Sequence, residues 1–239
     1  MKEFDNLNDN NEQEGGGGQE WLTTYADMMT LLFAFFVLLY SMSSPDPVKM
    51  SQIEDAMKKE AGFDGTLKSM SEIQNEFEEI VEGLNLTKTT NIISDPRGVA
   101  IEMDGDICFQ SASTEIKNTL QDILNIAATK MLSNQEDYRM VIIEGHTDAD
   151  KIPEKLQKIY PTNWELSAAR ASNVVNYLIS RGVNSGRMQA SGYADRWPAE
   201  ASWYEVRRGK ITNETIQEDN LTDQQKRKNR RIKIVFTNE

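Results

Sequence analysis

Cysteine and histidine each occur once in these 239 residues, as Cys108 and His146. A single thiol excludes an internal disulfide framework, and the two residues together fall short of any zinc cage. Cys108 is therefore read as a small buried apolar residue, and no metal or cofactor is expected. Positive charge is scarce as well: 26 Lys and Arg stand against 38 Asp and Glu, for a net charge of -12. That deficit argues against nucleic acid as a partner, since holding phosphates requires clustered Lys and Arg. The one basic run, Lys226-Arg227-Lys228-Asn229-Arg230-Arg231, reads as the solvated entrance to a strand. Residues 1–20 have almost nothing to bury. With one lysine, six acids and the glycine run at 15–18, they are expected to form a flexible tail.

One long apolar run is present. Residues 21–42 (WLTTYADMMTLLFAFFVLLYSM) carry a single charge, Asp27. At ~1.5 Å per residue this run makes about 33 Å of helix, enough for a hydrocarbon core of ~30 Å. An ionised carboxylate inside such a span costs on the order of 2.5–3.5 kcal/mol, so the default reading is a proton or cation site facing a partner helix or a water-filled path. Trp21 and Tyr25 look like interface anchors that set Asp27 deeper than the boundary. Two other readings compete: Asp27 snorkels to the headgroups or caps a helix starting at Met28, or the run is a signal peptide. The acidic segment before the run counts against the second. Lys49, Lys58 and Lys59 follow the span, so charge bias gives no support to a cytoplasmic N-terminus.

Beyond the span, Pro45 and Pro47 break the helix, and Met50, Ile53 and Met57 recur at helical spacing over residues 45–61. Residues 62–91 are expected to form a link with a second amphipathic helix, its stripe made by Leu67, Met70, Phe77, Val81 and Leu84, and ended by Gly83. Such a stripe packs against its own domain or a twin chain. From residue 92 the texture changes to short strands separated by helices. The turn Asp95-Pro96-Arg97-Gly98 predicts a hairpin, Thr114 a cap for a helix through Leu132, and residues 139–144 a buried strand. Asn163 is expected to cap a helix through Ile179, and residues 188–192 and 232–236 supply the last strands. The pattern predicts an α/β sandwich, a mixed sheet with helices on one face. Residues 201–225 read as a long loop or an inserted helix.

Gly145-His146-Thr147-Asp148 directly follows the buried strand, which puts Asp148 at the mouth of the sheet. Asn163 and Arg170 are nearly two helical turns apart and share a face that can point at the same loop. An acid and a guanidinium about a cleft can hold a zwitterion, the acid taking an ammonium and the guanidinium a carboxylate. The same pair could equally be a plain salt bridge tying loop to helix.

These motifs, with Leu166-Ser167 and Ala171 around Arg170, then Gly192-Tyr193 and Asn229-Arg230-Arg231-Ile232, resemble the OmpA-like peptidoglycan-binding domain over residues 92–239. The resemblance implies that Asp148 and Arg170 clasp the zwitterionic end of diaminopimelate in the stem peptide, with Asn163 lining the pocket. Residues 150–161 and 201–228 are longer than the family pattern. In the N-terminal half, Trp21-x-x-x-Tyr25-Ala26-Asp27-Met28-Met29-Thr30 followed by Phe35-Phe36 resembles the B-type component of the bacterial flagellar stator, the motility protein B family. That resemblance implies a non-enzymatic protein with a cytoplasmic tail (1–20), a single span (21–43) in the cell membrane lipid and a domain on the wall side. It further implies Asp27 as the ion-binding residue, Met50, Ile53 and Met57 as a channel plug, and a homodimer inside a ring of the multi-span A-type flagellar stator protein. Ala34 resembles proton-driven relatives and tilts the expected ion to H+ rather than Na+. The alternative is a membrane-tethered OmpA-like wall anchor without ion transport. A hydrolase using Glu144, His146 and Asp148 finds no nucleophile or metal set to support it.

Overall fold

The computed structural model describes residues 20–42, 53, 57 and 67–238, apart from 111, 112 and 131. Two compact units result, Met1–Pro45 and Asp46–Glu239. In the first, helix α1 spans Glu20–Met42, and every large apolar side chain from Trp21 to Tyr40 is exposed. A helix apolar on all sides finds no favourable face for water. Three of its hydroxyl groups bond back within the helix: Thr24 Oγ1 donates to the carbonyl of Trp21 (2.9 Å), Thr30 Oγ1 to those of Ala26 (3.0 Å) and Asp27 (2.8 Å), and Ser41 Oγ to that of Leu38 (3.0 Å). Back-bonding of this kind lets hydroxyl residues sit in an apolar medium. α1 contains no basic residue that could pair with Asp27.

The second unit is built on a five-stranded sheet of order β1-β2-β5-β3-β4. Its strands are β1 (Thr90–Asp95), β2 (Gly98–Asp104), β3 (Val141–Gly145), β4 (Met188–Gly192) and β5 (Arg231–Thr237). Only β3 and β4 run parallel; the other neighbours are antiparallel. Strand alternation sorts the two faces. Val99, Ile101 and Met103 of β2, Ile232, Ile234 and Phe236 of β5, and Val141 and Ile143 of β3 all enter one apolar core. Covering that face are α2 (Met70–Gly83), α4 (Asn118–Lys130) and α6 (Asn163–Ser180), with the four-residue α3 (Gly105–Cys108) at the end of β2. The expected mixed sheet with helices on one face is what forms. Cys108 lies fully buried in the same core, and burial pushes its thiol up.

Several boundaries differ from expectation for local reasons. α6 is capped by Thr162, not Asn163: Thr162 and Glu165 form a reciprocal capping box, which leaves Asn163 inside the first turn with its amide free for the loop. α4 starts at Asn118 because the carbonyl of Thr114 is taken by Asn173 Nδ2 at 2.8 Å, holding that segment in a loop. β3 starts at Val141 because Asp137 wraps Arg139 in a turn, accepting from its backbone N–H at 3.0 Å and from Nε at 2.9 Å. α2, expected within the link, buries Met70, Ile73, Phe77 and Ile80 in the core shared with the sheet. It therefore packs on its own domain. Residues 201–225 hold three short helices, α7 (Trp203–Arg207), α8 (Asn213–Glu218) and the start of α9 (Asp223–Asn229), while α5 (Glu154–Gln157) precedes α6.

Candidate functional site

Two glycines bring α6 onto the ends of the parallel strands. A Cβ at Gly145 would sit 2.2 Å from the Ser167 carbonyl oxygen, and one at Gly192 would sit 2.6 Å from the Ala168 nitrogen. With hydrogen in those places the helix backbone touches the strands. Ser167 Oγ then donates to the Trp164 carbonyl (3.0 Å) and accepts from the Ala194 N–H (3.1 Å), fixing the crossing. The chain leaving β3 stays paired, the N–H of His146 donating to Arg231 and that of Thr147 to Ala194. Asp148 follows at the sheet's end with little exposure.

Asn163 and Asp148 are brought together directly: Asn163 Nδ2 donates to the backbone carbonyls of Asp148 (3.2 Å) and Asp150 (3.1 Å). Arg170 is not paired with Asp148. Its Nε and Nη2 donate to the Ser113 carbonyl at 3.2 and 3.1 Å, and its guanidinium lies 5.0 Å from the centre of the Phe109 ring. Burial lowers its affinity for the proton, and Asp148 is among the charges that counter the shift. The carboxylate of Asp148 belongs instead to Arg230, whose Nη1 donates to Oδ2 at 2.6 Å. Arg230 also reaches Asp106 of α3, with Nε and Nη2 each 3.4 Å from a carboxylate oxygen. Burial works against the Arg230 charge, but the bonds to Asp148 and Asp106 prevail and raise its pKa.

Arg227 joins the cluster from its exposed side, with Nε 3.4 Å from Asp106 Oδ2 and 3.9 Å from Asp104 Oδ2, so of the three guanidinia here Arg170 is the one without a carboxylate partner within ion-pair distance. Residues near the C-terminus buttress the site. Asn220 Oδ1 accepts from the Ala149 N–H (3.0 Å), and Lys226 Nζ donates to both oxygens of Asp150 (2.8 and 3.0 Å). In the basic run expected as a solvated strand entrance, Lys226 and Arg230 serve the site, whereas Arg227 and Lys228 remain more than half exposed. Asn229 is buried, accepting from Ala199 and donating to Asp219. Arg231 is buried beneath it and donates to the Trp197 carbonyl at 3.2 Å. Sequence reasoning noted Asn229-Arg230-Arg231 as a motif but gave Arg230 and Asp106 no place in the site.

Beneath the mouth, the sheet's second face carries a charged row in which Lys233 sits directly between Glu102 and Glu144. Lys233 Nζ lies 2.8 Å from Asp95 Oδ2 and 3.6 Å from Glu102 Oε1. Burial opposes ionisation of Asp95 and Glu144, yet hydrogen bonds from Arg97 help hold both at about 2. His146 is fully buried, stacked on Tyr193 at 5.4 Å and met edge-on by Trp197 at 5.8 Å. Burial, aided by Arg231, lowers its pKa to about 3, so the ring is neutral. Glu144 and His146 are thus sealed away from the mouth where Asp148 sits. Glu144 Oε2 lies 3.9 Å from His146 Nε2 inside the domain, whereas the Asp148 carboxylate is bound by Arg230. Among the described residues no group of acids, His and Cys is arranged to hold a metal.

Residues 7–60 match the family model described as the membrane MotB of the proton-channel complex MotA/MotB, and residues 108–212 match the OmpA family. The chain is MotB-like, with an OmpA-like C-terminal domain. Relatives align nearly end to end. The uncharacterized protein YtxE of Bacillus subtilis (strain 168) is 29% identical, covering 94% of this chain and 93% of its own. Motility protein B of the same organism is 22% identical over 91% and 90%. A crystal structure of a MotB-like protein from Desulfovibrio vulgaris shares the fold, with a TM-score of 0.54 at 18% identity over 71% of this chain and 91% of that one.

In this MotB-like chain the remaining expected site residues lie on the N-terminal side. Asp27 is on α1, in the one helix among the described residues long and apolar enough to cross a membrane. Ile53 and Met57 are helical and exposed, while Met50 lies outside the described residues.

Proposed function

We propose that this chain is the B-type component of a flagellar stator, in which ion passage at Asp27 drives torque while the C-terminal domain ties the complex to peptidoglycan. The observation that carries the reading is a conjunction within one MotB-like chain. A 23-residue helix carries Asp27 as its single charge beyond the first residue, Glu20, and the C-terminal domain, which matches the OmpA family, has Asn163 bonded to the Asp148 carbonyl and Arg170 close enough to feel the Asp148 charge. A single helix cannot enclose an ion path, so the walls come from the multi-span A-type stator protein, which surrounds a homodimer of this chain. An ion crossing ~100 mV releases about 2.3 kcal/mol per charge. Neutralising and re-ionising Asp27 changes which contacts its helix prefers, and repeated population shifts become rotation.

In this arrangement the tail is cytoplasmic, α1 spans the cell membrane and the OmpA-like domain faces the wall. The apolar stripe of Met50, Ile53 and Met57 plugs the path until the complex engages. At the mouth, Arg170 grips the carboxylate of the diaminopimelate side chain, Asp148 takes its ammonium and Asn163 holds the rim. Protons are the proposed ion, on the strength of Ala34. The test is Asp27→Asn as the only copy in the cell: swimming should cease, with membrane level and peptidoglycan sedimentation unchanged. Cells that still swim would leave the wall anchor without ion transport as the reading. Swimming speed measured against sodium at fixed pH decides the ion, and a speed that tracks sodium replaces the proton.

A further inference from the structure

We propose that Arg230 is a resident cation on Asp148 that an incoming ligand ammonium must displace, and that Asp106 is the seat to which it retires. The proposal deepens the wall-binding reading and rests on it. A clasp for a zwitterion needs a free carboxylate at one end and a free guanidinium at the other. Here the carboxylate is already in use, bound by Arg230 Nη1 at 2.6 Å. The guanidinium end is the available one, since Arg170 is satisfied only by a backbone carbonyl and a ring face.

Arg230 is built to move over a short distance. It is one-third exposed at its side chain and already lies 3.4 Å from both oxygens of Asp106 through a different pair of its nitrogens, a seat it shares with the exposed Arg227, whose Nε is 3.4 Å from Asp106 Oδ2. Its backbone stays anchored, because the Gly105 N–H donates to the Arg230 carbonyl at 2.6 Å. Rotation of the guanidinium toward Asp106 frees Asp148 without moving the loop that Asn163, Asn220 and Lys226 hold. The clasp is therefore asymmetric: a ligand carboxylate docks on Arg170 first, and only a ligand that also brings a cation to the far end makes good the pair it breaks. A ligand with a carboxylate alone does not need to open the latch.

The probe is the soluble tripeptide L-Ala-γ-D-Glu-meso-diaminopimelate, titrated calorimetrically into the detergent-solubilised full chain. Arg230→Gln removes the competitor, so affinity should rise roughly tenfold, as expected for loss of one competing charge-assisted bond. Asp106→Asn removes the alternative seat and should lower affinity several-fold. The double variant should behave as Arg230→Gln alone, because a seat matters only while there is a latch to occupy it. Arg230→Lys, which keeps the charge and loses the fork, should fall between wild type and Arg230→Gln, and supplies the same comparison if the Gln variant does not fold. Weaker binding by Arg230→Gln would make Arg230 a ligand contact and overturn the latch. Unchanged binding would overturn it too. Arg170→Gln separates the two readings: if wild type binds and Arg170→Gln does not, the pocket is right and only the Arg230 series judges the latch. If wild type itself fails to bind, the wall-binding reading fails and takes the latch with it.

Discussion

Arg97, in the turn between β1 and β2, reaches over the sheet's second face to Glu144 on β3, its Nη1 donating to Oε1 at 2.6 Å. The same guanidinium binds Asp95 through Nε at 2.7 Å. One side chain therefore ties the hairpin to a strand two positions away in the sheet order, across β5. Removing it leaves Glu144, which is wholly buried, as an uncompensated charge. Arg97→Ala should cost on the order of 3–5 kcal/mol in urea unfolding of the full chain in detergent. Arg97→Met with Glu144→Gln should recover much of that loss, because neither half then carries an unpaired charge. A double variant no more stable than Arg97→Ala would show that the bridge acts through shape alone.

His146 gives the domain a specific response to acid. Its folded value of about 3 lies below the ordinary 6.5, so unfolding takes up a proton through that whole interval. Stability contributed by keeping the ring neutral is complete above pH 6.5 and declines as pH falls toward 3, by an amount on the order of 3–5 kcal/mol. Asp95 and Glu144 are lowered to about 2, so their contribution is present above the ordinary carboxylate range and is lost only below it. The two effects separate by pH. Melting followed between pH 6.5 and 4.5 should show a slope near one proton that His146→Phe abolishes, while the steeper loss below about pH 4 persists. Equal slopes in the two proteins would mean that the buried ring is not what titrates on unfolding.

Gly145 sets how closely α6 approaches the site. The Cβ of an alanine there would lie 2.2 Å from the Ser167 carbonyl oxygen, which is backbone and cannot swing aside. Gly145→Ala should push the start of α6 outward, lowering stability by about 1–3 kcal/mol, and weaken peptidoglycan sedimentation more than melting would explain. The reason is that Asn163 and Arg170 ride on that helix while Asp148 does not. Wild-type sedimentation by a destabilised variant would show that the helix seat does not set the site.

Period and motif carried most of the architecture into the sequence. Alternation in Val99, Ile101 and Met103 marks the core face of β2, and the structure buries all three. The first turn of α6 was less legible, since Thr162 and Asn163 are both good caps and only the reach of Glu165 back to Thr162 decides between them. Asp148, Asn163 and Arg170 could be placed at one mouth because strand end and helix face fix their directions. The partner of Asp148 could not. Arg230 arrives from 82 residues away along the chain, and a guanidinium in a basic run looks like a solvated charge until the strand beside it is seen to end at the same mouth. The three short helices between β4 and β5 were equally hidden. Each is too short for a periodic stripe, and they are held by single residues such as Asn220 and Asn229.

Arg170 is the residue on which the wall-binding reading is most exposed. It has a structural duty, two N–H bonds to the Ser113 carbonyl and a cation–π contact with Phe109, so Arg170→Gln should cost about 1–2 kcal/mol of stability. That loss alone leaves the domain folded, because the same loop is also held by Asn173 on Thr114 and by the Phe109 and Ile116 bridge. Binding should suffer far more. A ligand carboxylate that loses its guanidinium in a half-dry cleft forfeits on the order of 2–5 kcal/mol, enough to abolish sedimentation with purified peptidoglycan. Asn173→Ala serves as the comparison, since it loosens the same loop without touching the cleft's charge. If Arg170 acts only as a brace, the two variants lose stability and sedimentation in parallel. If it receives the carboxylate, Arg170→Gln stops pelleting with the wall while Asn173→Ala, at similar stability, still does.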